Sequence, residues 1–494
     1  MTTRKRVCVV GAGVSGLAAA NAFARHGHEP TVYERAADLG GVWEPSRSYP
    51  GIKTQSPKDL YCYTSRPMPT GYAEWPSGRE VYEYLRGFAE ENGLMAHISF
   101  GRSVVRAERR EGGGWEVRTR CRNGGEATSS FDALVVASGT FNEKNSPRHP
   151  GQEDFETNGG RVLHSSEYTD PAMVADKDVV VLGFSKSATD VAVSAAKAGA
   201  RSVAIVYREP VWRIPYRFAE RINFKHILYC RASEAMFPGW NTGGAGRVAY
   251  ALAKPAIWAN WRALETLLDR QFGLTKLGMR PSVPIEDAIS CGLPIATEGF
   301  YEMLHAGRIT AHRGTFEHYE PGTVVLTGGE RLAIDVAIQA TGWTLGVSYL
   351  PRDVLDTIRE ADGQYRLHRL AASPDVPDLG FVGFNSSFAT VLTSEISAEW
   401  LVRYMDGTLA RQPTPEAMNA AIDAHLAWRR RVRPAAQVYG GLCSAPYHFR
   451  YLDELLADIG CRERRGGILA ETFLPPSAAA YGRYLASAPA YRAA

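Results

Sequence analysis

The chain has 494 residues, 45% hydrophobic and 22% charged, a composition that predicts a globular protein with two or more cores. A formal net charge of +3 excludes a broad electrostatic match to nucleic acid or an anionic membrane. The seven cysteines (Cys8, Cys62, Cys121, Cys230, Cys291, Cys443, Cys461) are dispersed and form no C-x-x-C, which argues against a disulfide framework and predicts a reducing, cytoplasmic setting. Met1 to Arg6 lead straight into a strand, so no secretory signal is expected. Nor does any apolar run reach membrane-spanning length: Val248 to Leu268 is broken by Lys254, Pro255, Arg262 and Glu265. Self-association into a homo-oligomer is compatible with this composition.

Val7-Cys8-Val9-Val10 reads as a buried parallel strand. Gly11-Ala12-Gly13-Val14-Ser15-Gly16 follows, then a helix whose apolar face carries Leu17, Ala20, Phe23 and Ala24 and which stops at Gly27. Thr31 to Glu34 form the next strand. This is G-x-G-x-x-G in its strand–turn–helix–strand setting. Gly11 permits the tight turn, Gly13 the approach of a pyrophosphate, and Gly16 close packing of helix on strand. The helix start offers N–H groups to that pyrophosphate, and Glu34 stands where an acid grips ribose hydroxyls.

Asp178 to Leu182 are a second buried strand, entering Gly183-Phe184-Ser185-Lys186-Ser187-Ala188. A helix follows with Ala188, Val191, Ala192 and Ala195 on one face and Gly199 as its stop. Ser202 to Tyr207 are the next strand, ended by Arg208. Ser185 and Ala188 replace the second and third glycines, and both are small. Glu34 suits a free ribose diol, as in FAD, whereas Arg208 suits a 2′-phosphate, as in NADPH. The pair reads as FAD first and NADPH second, with Lys186 as a candidate phosphate contact.

Further motifs carry a family resemblance. Gly40-Gly41-Val42-Trp43 resembles the G-G-x-W segment of class B flavin monooxygenases, and Val135 to Gly139 the strand that returns the chain to the flavin. Pro150-Gly151, Phe155, Gly160, His164 and Tyr168 resemble the identifying motif F-x-G-x-x-x-H-x-x-x-Y. Ala340-Thr341-Gly342-Trp343 resembles the second returning strand, and Leu379 to Phe384 the late flavin-domain strand. From about residue 5 to about 405, most weakly over 210–325, the chain resembles the flavin-containing monooxygenases. Two departures stand out. Glu156 to Gly159 stretch the identifying motif, and Thr54-Gln55 replaces the family's Thr-Asn, so an amide is kept with one more methylene.

The resemblance implies an α/β chain with two Rossmann-like dinucleotide-binding domains, the FAD domain interrupted by a smaller NADPH domain, with helical additions. Residues 1–170 and 326–494 would form the FAD part and the C-terminal helical tail, and 171–325 the NADPH part with a helical insert at about 210–300. NADPH would reduce the flavin, reduced flavin would capture O2 as a C4a-hydroperoxide, and one oxygen would pass to a small organic substrate at N or S. Baeyer–Villiger oxygenation of a ketone and NADPH oxidation without oxygen transfer remain open. Gly11, Gly13, Val14, Ser15, Gly16, Glu34 and Arg35 would hold FAD, with Gly41, Val42, Trp43, Thr54, Ser138 and Gly139 on the flavin side. Gly183, Ser185, Lys186, Ser187, Ala188, Thr189, Asp190 and Arg208 would hold NADPH, with Thr341 and Gly342 on the second return. Gln55 would donate a hydrogen bond near the reactive edge and is the candidate catalytic residue. No metal site is expected.

His164 and Tyr168 are expected to position the linker between the domains. The aromatics of 210–300, among them Trp212, Tyr216, Phe224, Tyr229, Trp240, Trp258 and Trp261, are expected to pack a subdomain, with an apolar substrate pocket as the alternative. Ala251 to Leu268 read as one or two helices interrupted at Pro255, and Arg429-Arg430-Arg431 as a solvated helix face. Leu452, Leu455 and Leu456 belong to a helix ending near Gly460, and Pro475-Pro476 to a loose tail.

Overall fold

In a computed structural model, which describes residues 3–240, 242–289, 293–432, 440–461 and 467–488, the strand Arg6–Val10 lies inside a six-stranded sheet. The order is Ala372–Ser373, Val376–Phe381, Ala133–Val136, Arg6–Val10, Glu29–Tyr33, Ile98–Ser99. Every pairing is parallel except that of Ala372–Ser373. Val7 to Val10 are buried because both faces of a parallel sheet are covered. The helix Val14–Arg25 packs on the helix Thr390–Asp406 and on the strand it follows. Gly27, at φ +83°, ends it in the left-handed region open to glycine.

A second sheet, parallel throughout, has the order Thr310–Arg313, Ser202–Tyr207, Asp178–Leu182, Val336–Gln339, Arg161–His164. It draws Arg161–His164 and Val336–Gln339 from either side of residues 171–325. The chain leaves the first sheet after Val136, completes the second by Gln339, and returns at Ala372, so the first α/β layer is interrupted by the second. His164 and Tyr168 tie the crossing down: the His164 ring bonds the Gly342 carbonyl at 3.0 Å, and the Tyr168 hydroxyl lies 3.0 Å from Ser194 Oγ.

The structure corrects four expectations. Gly244–Phe272 is one helix running through Pro255. The carbonyl that Pro255 leaves without an N–H partner, that of Ala251, sits on an exposed stretch where water can serve it. Arg429 is buried, donating to Gln364 Oε1 at 3.3 Å, while Arg430 is exposed and pairs with Asp362. The tail is docked: Ser477 caps the helix Ala478–Ala486, Ala478 N donates to the Asp59 carbonyl, and Tyr481 and Tyr484 are buried. Finally, Cys443 is disulfide-bonded, whereas Cys8, Cys62, Cys121, Cys230 and Cys461 are free thiols. A disulfide needs two Cα atoms only about 5.5 Å apart in the fold, which spacing along the chain does not reveal. Cys291 lies outside the described residues.

His368 makes fold stability depend on acidity. It is buried beside Trp400, and burial first, then the Arg369 charge, pushes its imidazole down to about 4. Because the folded value lies below the unfolded value of about 6.5, the neutral ring contributes stability above that pH and loses it as pH falls towards 4. Relative to His368→Phe, the wild type is expected to lose about 1.4 kcal/mol per pH unit across this window. Urea midpoints of the two proteins at several pH values test it, and a constant gap between them would refute it.

Candidate functional site

The first turn is shaped by backbone contacts that leave no space for side chains. Gly11, at φ +103°, donates its N–H to the Tyr33 carbonyl at 2.9 Å, and a Cβ there would stand 2.9 Å from the Ala137 carbonyl oxygen. At Gly16 a Cβ would fall 1.8 Å from the Gly11 carbonyl oxygen. Gly13 faces Gly41, where a Cβ would lie 3.1 Å from Gly13 Cα, so the G-G-x-W segment passes directly over the turn. The helix Val14–Arg25 has no side-chain N-cap bond and no acid in its first turn, leaving its leading N–H groups for an anion. Glu34 is buried, with its two oxygens accepting from Ala12 N and Ala36 N, both at 2.8 Å. Those bonds aim a carboxylate at the turn and leave further lone pairs for ribose hydroxyls. Arg35 Nη2 donates to the Asn142 carbonyl, and Asn142 Nδ2 donates to Ser138 Oγ at 3.0 Å, joining two more expected residues at this edge. Gly139, at φ +74°, follows. The Ser15 hydroxyl, however, turns inward to Ser394 Oγ at 3.0 Å, so Ser15 offers the cleft its backbone alone.

The second turn repeats this plan. Gly183, at φ +129°, donates to the Val206 carbonyl at 2.9 Å, and a Cβ there would lie 2.4 Å from the Ala340 carbonyl oxygen. Ser185 adopts φ −82° and ψ −171°, matching Gly13 at −80° and −170°. Any residue can take that conformation, which explains why serine stands where glycine was expected. The helix Lys186–Lys197 also lacks a side-chain N-cap bond and a first-turn acid. Leu182 pairs with Val206, whereas Val10 pairs with Tyr33. Tyr207 therefore occupies the register position of Glu34, and Arg208 stands one step beyond, exposed and without an ion pair among the described residues. Tyr207 is buried, stacked on Phe184 at 4.6 Å between ring centroids.

Lys186, Thr189 and Asp190 point inward. Asp190 accepts from Lys186 Nζ, from Thr297 Oγ1 at 2.5 Å and from Tyr49 OH at 3.0 Å. Thr189 Oγ1 lies 2.7 Å from Thr297 Oγ1. Burial lowers the Lys186 ammonium pKa, opposed by the Asp190 carboxylate. Ser187 stays partly exposed, its hydroxyl 3.3 Å from that of Ser185, and Ala188 is buried against the sheet.

One segment reaches both the first turn and the helix that follows the second. Gly41 touches Gly13, the buried Trp43 donates through its indole N–H to Tyr61 OH at 2.9 Å, and Val42 is partly exposed beside it. Arg47 lies over the Trp343 ring at 5.3 Å, next to Thr341 and Gly342. Burial, then Arg35, lowers the Arg47 pKa, while Glu34 and Glu44 oppose the shift. Tyr49 reaches Asp190, and Thr54, buried, donates to the Ser56 carbonyl at 2.8 Å. Gln55 Oε1 accepts from Ile295 N at 2.9 Å, and the Gln55 carbonyl accepts from Tyr229 OH at 3.1 Å. The amide oxygen is thus spoken for, and its Nε2–H2 end is the one left to donate. Tyr229 and Ile295 also wall an apolar cavity of about 30 Å³, together with Phe224, Phe237, Trp261 and Phe388. Of the insert's aromatics, Phe224, Tyr229 and Trp261 line this cavity, whereas Trp212 and Trp240 pack and Trp258 is exposed.

Residues 4–469 match the family model Flavin-binding monooxygenase-like. The chain belongs to that family. Flavin-containing monooxygenase 1 of Sus scrofa is 28% identical over 486 residues, which cover 94% of this chain and 85% of its own length. Two solved structures share the fold. S-allyl-L-cysteine S-oxygenase from Allium sativum superposes with a TM-score of 0.61 at 21% identity, over 94% of this chain and 91% of that one. Cyclohexanone monooxygenase from Rhodococcus sp. Phi1, bound to NADP+, superposes at 0.67 and 19% identity, over 92% and 97%.

The chain is therefore a flavoprotein monooxygenase, with FAD as its flavin. The first turn fits that cofactor: its helix start has unengaged N–H donors, and a side chain at Gly11, Gly13 or Gly16 would close the approach. Arg47, Thr297, Ser394 and Arg213 contact Trp343, Asp190, Ser15 and Phe184 respectively, beside the two turns, and are not marked by the sequence. Arg47 follows the G-G-x-W segment closely enough to have been a signal. The others come together only through the fold.

Proposed function

We propose that FAD lies along the first turn and NADPH along the second, and that the enzyme passes one oxygen atom of O2 to a soft nitrogen or sulfur of a small, neutral organic substrate. The observation that supports this best is the Gly41–Gln55 segment, which touches the first turn at Gly13 and the second helix at Asp190. When bound, the cofactors supply hydride transfer and activation of O2. The chain orients them and excludes water. Glu34 holds a ribose diol, and the helix starts at Val14 and Lys186 take the phosphates. Arg208, one step beyond the Tyr207 that stands in place of the first turn's acid, meets a 2′-phosphate. On this reading the strands before Val136 and after Ala372 carry FAD, and those from Arg161 to Gln339 carry NADPH. Gln55 donates from its free Nε2–H2 towards the reacting edge. Among the described residues the cavity beside it has no lysine or arginine in its lining, which favours a neutral apolar substrate over an anionic one.

Gln55→Leu is expected to keep its flavin and its rate of NADPH consumption, while oxygenated product per NADPH falls about tenfold and H2O2 rises to match. An unchanged product ratio removes Gln55 from the mechanism. Amine and sulfide substrates are expected to be turned over in preference to ketones. A preference for ketones would replace this reading by Baeyer–Villiger oxygenation, and peroxide as sole product by an oxidase.

A further inference from the structure

We propose that the outer side of the helix Gly244–Phe272 is a docking surface for an anionic lipid bilayer, on which the helix lies flat. The first half of this helix stands clear of the body. From Gly244 to Asn260 every residue is exposed except Tyr250 and Ile257, which are half-buried. The buried side is carried by Trp261, Glu265 and Leu268. Leu252 lies nine residues before Trp261, about two and a half turns, and so on the opposite side. On that outer side Val248, Leu252, Pro255 and Ala259 follow at spacings of four, three and four. Such a stripe ordinarily faces a core, and here it faces solvent. Val248 is 61% exposed and Leu252 79%, with Trp258 beside them at 60%. Contiguous apolar surface of this kind marks a place where something binds.

The local charge selects what binds. The whole chain carries +3, yet the stretch from Ala235 to Leu264 alone holds Arg247, Lys254 and Arg262 and no aspartate or glutamate. Arg262 is paired with Glu265 and Glu286. Arg247 and Lys254 are exposed and pair with no carboxylate among the described residues. A second copy of the chain would bring the same two cations to the contact, whereas anionic headgroups neutralise them. Apolar residues with tryptophan on one side and basic residues at the flank are the composition of a helix that lies in a membrane interface. Lys254 and Pro255 break the apolar run, and among the described residues no helix is long and apolar enough to cross a membrane, so this one rests on the surface. Trp261, on the inner side, lines the apolar cavity beside Gln55. Docking therefore leaves only one helix diameter, about 10 Å, between the lipid and the wall of that cavity.

The test is co-sedimentation of the flavin-loaded full chain with vesicles of phosphatidylcholine alone or of an equimolar mixture with phosphatidylglycerol. The wild type is expected to bind the mixed vesicles about tenfold more tightly than the neutral ones, and to lose that preference at high salt. The double variant Leu252→Glu, Trp258→Glu is expected to bind the mixed vesicles at least about tenfold more weakly, and Arg247→Glu, Lys254→Glu to show no preference for them, both with wild-type flavin content. Binding by the first variant within about twofold of wild type, or equal binding of the wild type to both kinds of vesicle, overturns the proposal. A wild type that is dimeric without lipid, and monomeric once Leu252 and Trp258 are replaced, shows that a second copy covers this face and also overturns it.

Discussion

Gly16→Ala is expected to yield a protein that retains at least tenfold less flavin than wild type. The added methyl would lie 1.8 Å from the Gly11 carbonyl oxygen and 2.8 Å from its carbon. Both are backbone atoms of the turn itself, so no rotamer change relieves the clash. Forcing an extra carbon into a tight backbone contact costs about 1–3 kcal/mol or more, and here the strain falls on the turn that must receive a pyrophosphate. The second turn is a built-in control. Ala188 is the third residue of its helix, as Gly16 is of the first, and it is fully buried without conflict. The ratio of visible flavin absorbance to protein absorbance measures the variant against wild type. Full flavin content in Gly16→Ala would show that the first turn is not the flavin site.

Asp190→Ala is expected to destabilise the fold by about 3–5 kcal/mol, because it strands buried cations. Lys186 and Arg213 would lose the carboxylate that faces them, and Tyr49 would lose the acceptor that joins the first unit to the second helix. Adding Lys186→Met to Asp190→Ala should recover part of the loss by removing one of the stranded charges. Denaturant midpoints decide the matter. A midpoint unchanged in Asp190→Ala would mean that the bonds around this carboxylate add little to stability.

The two turns were legible in the sequence because their information is local. A buried strand, a small-residue turn and a helix with a glycine stop follow one another within about 25 residues. The parallel pairing of Arg6–Val10 with Glu29–Tyr33, and of Asp178–Leu182 with Ser202–Tyr207, belongs to the same local units. Directions of side chains did not follow. Ser15, Thr189 and Asp190 stand at helix starts in the sequence, yet tertiary partners (Ser394, Thr297 and Tyr49) turn them inward. Arg208 follows its strand in sequence as Glu34 does, and the strand register alone shows it one step further on. Arg213 reads as an ordinary arginine between Trp212 and Ile214, and only packing makes it a buried charge. The docked tail and the buried Arg429 were hidden for the same reason: each depends on residues far away in the chain, Asp59 and Gln364.

The account stands on the two turns delivering their ligands to one junction. Anaerobic mixing of the flavin-loaded protein with NADPH, followed by the visible flavin band, tests this most directly. The band is expected to bleach, faster with NADPH than with NADH, and to return when air is admitted. A flavin that stays oxidised under saturating NADPH would contradict it.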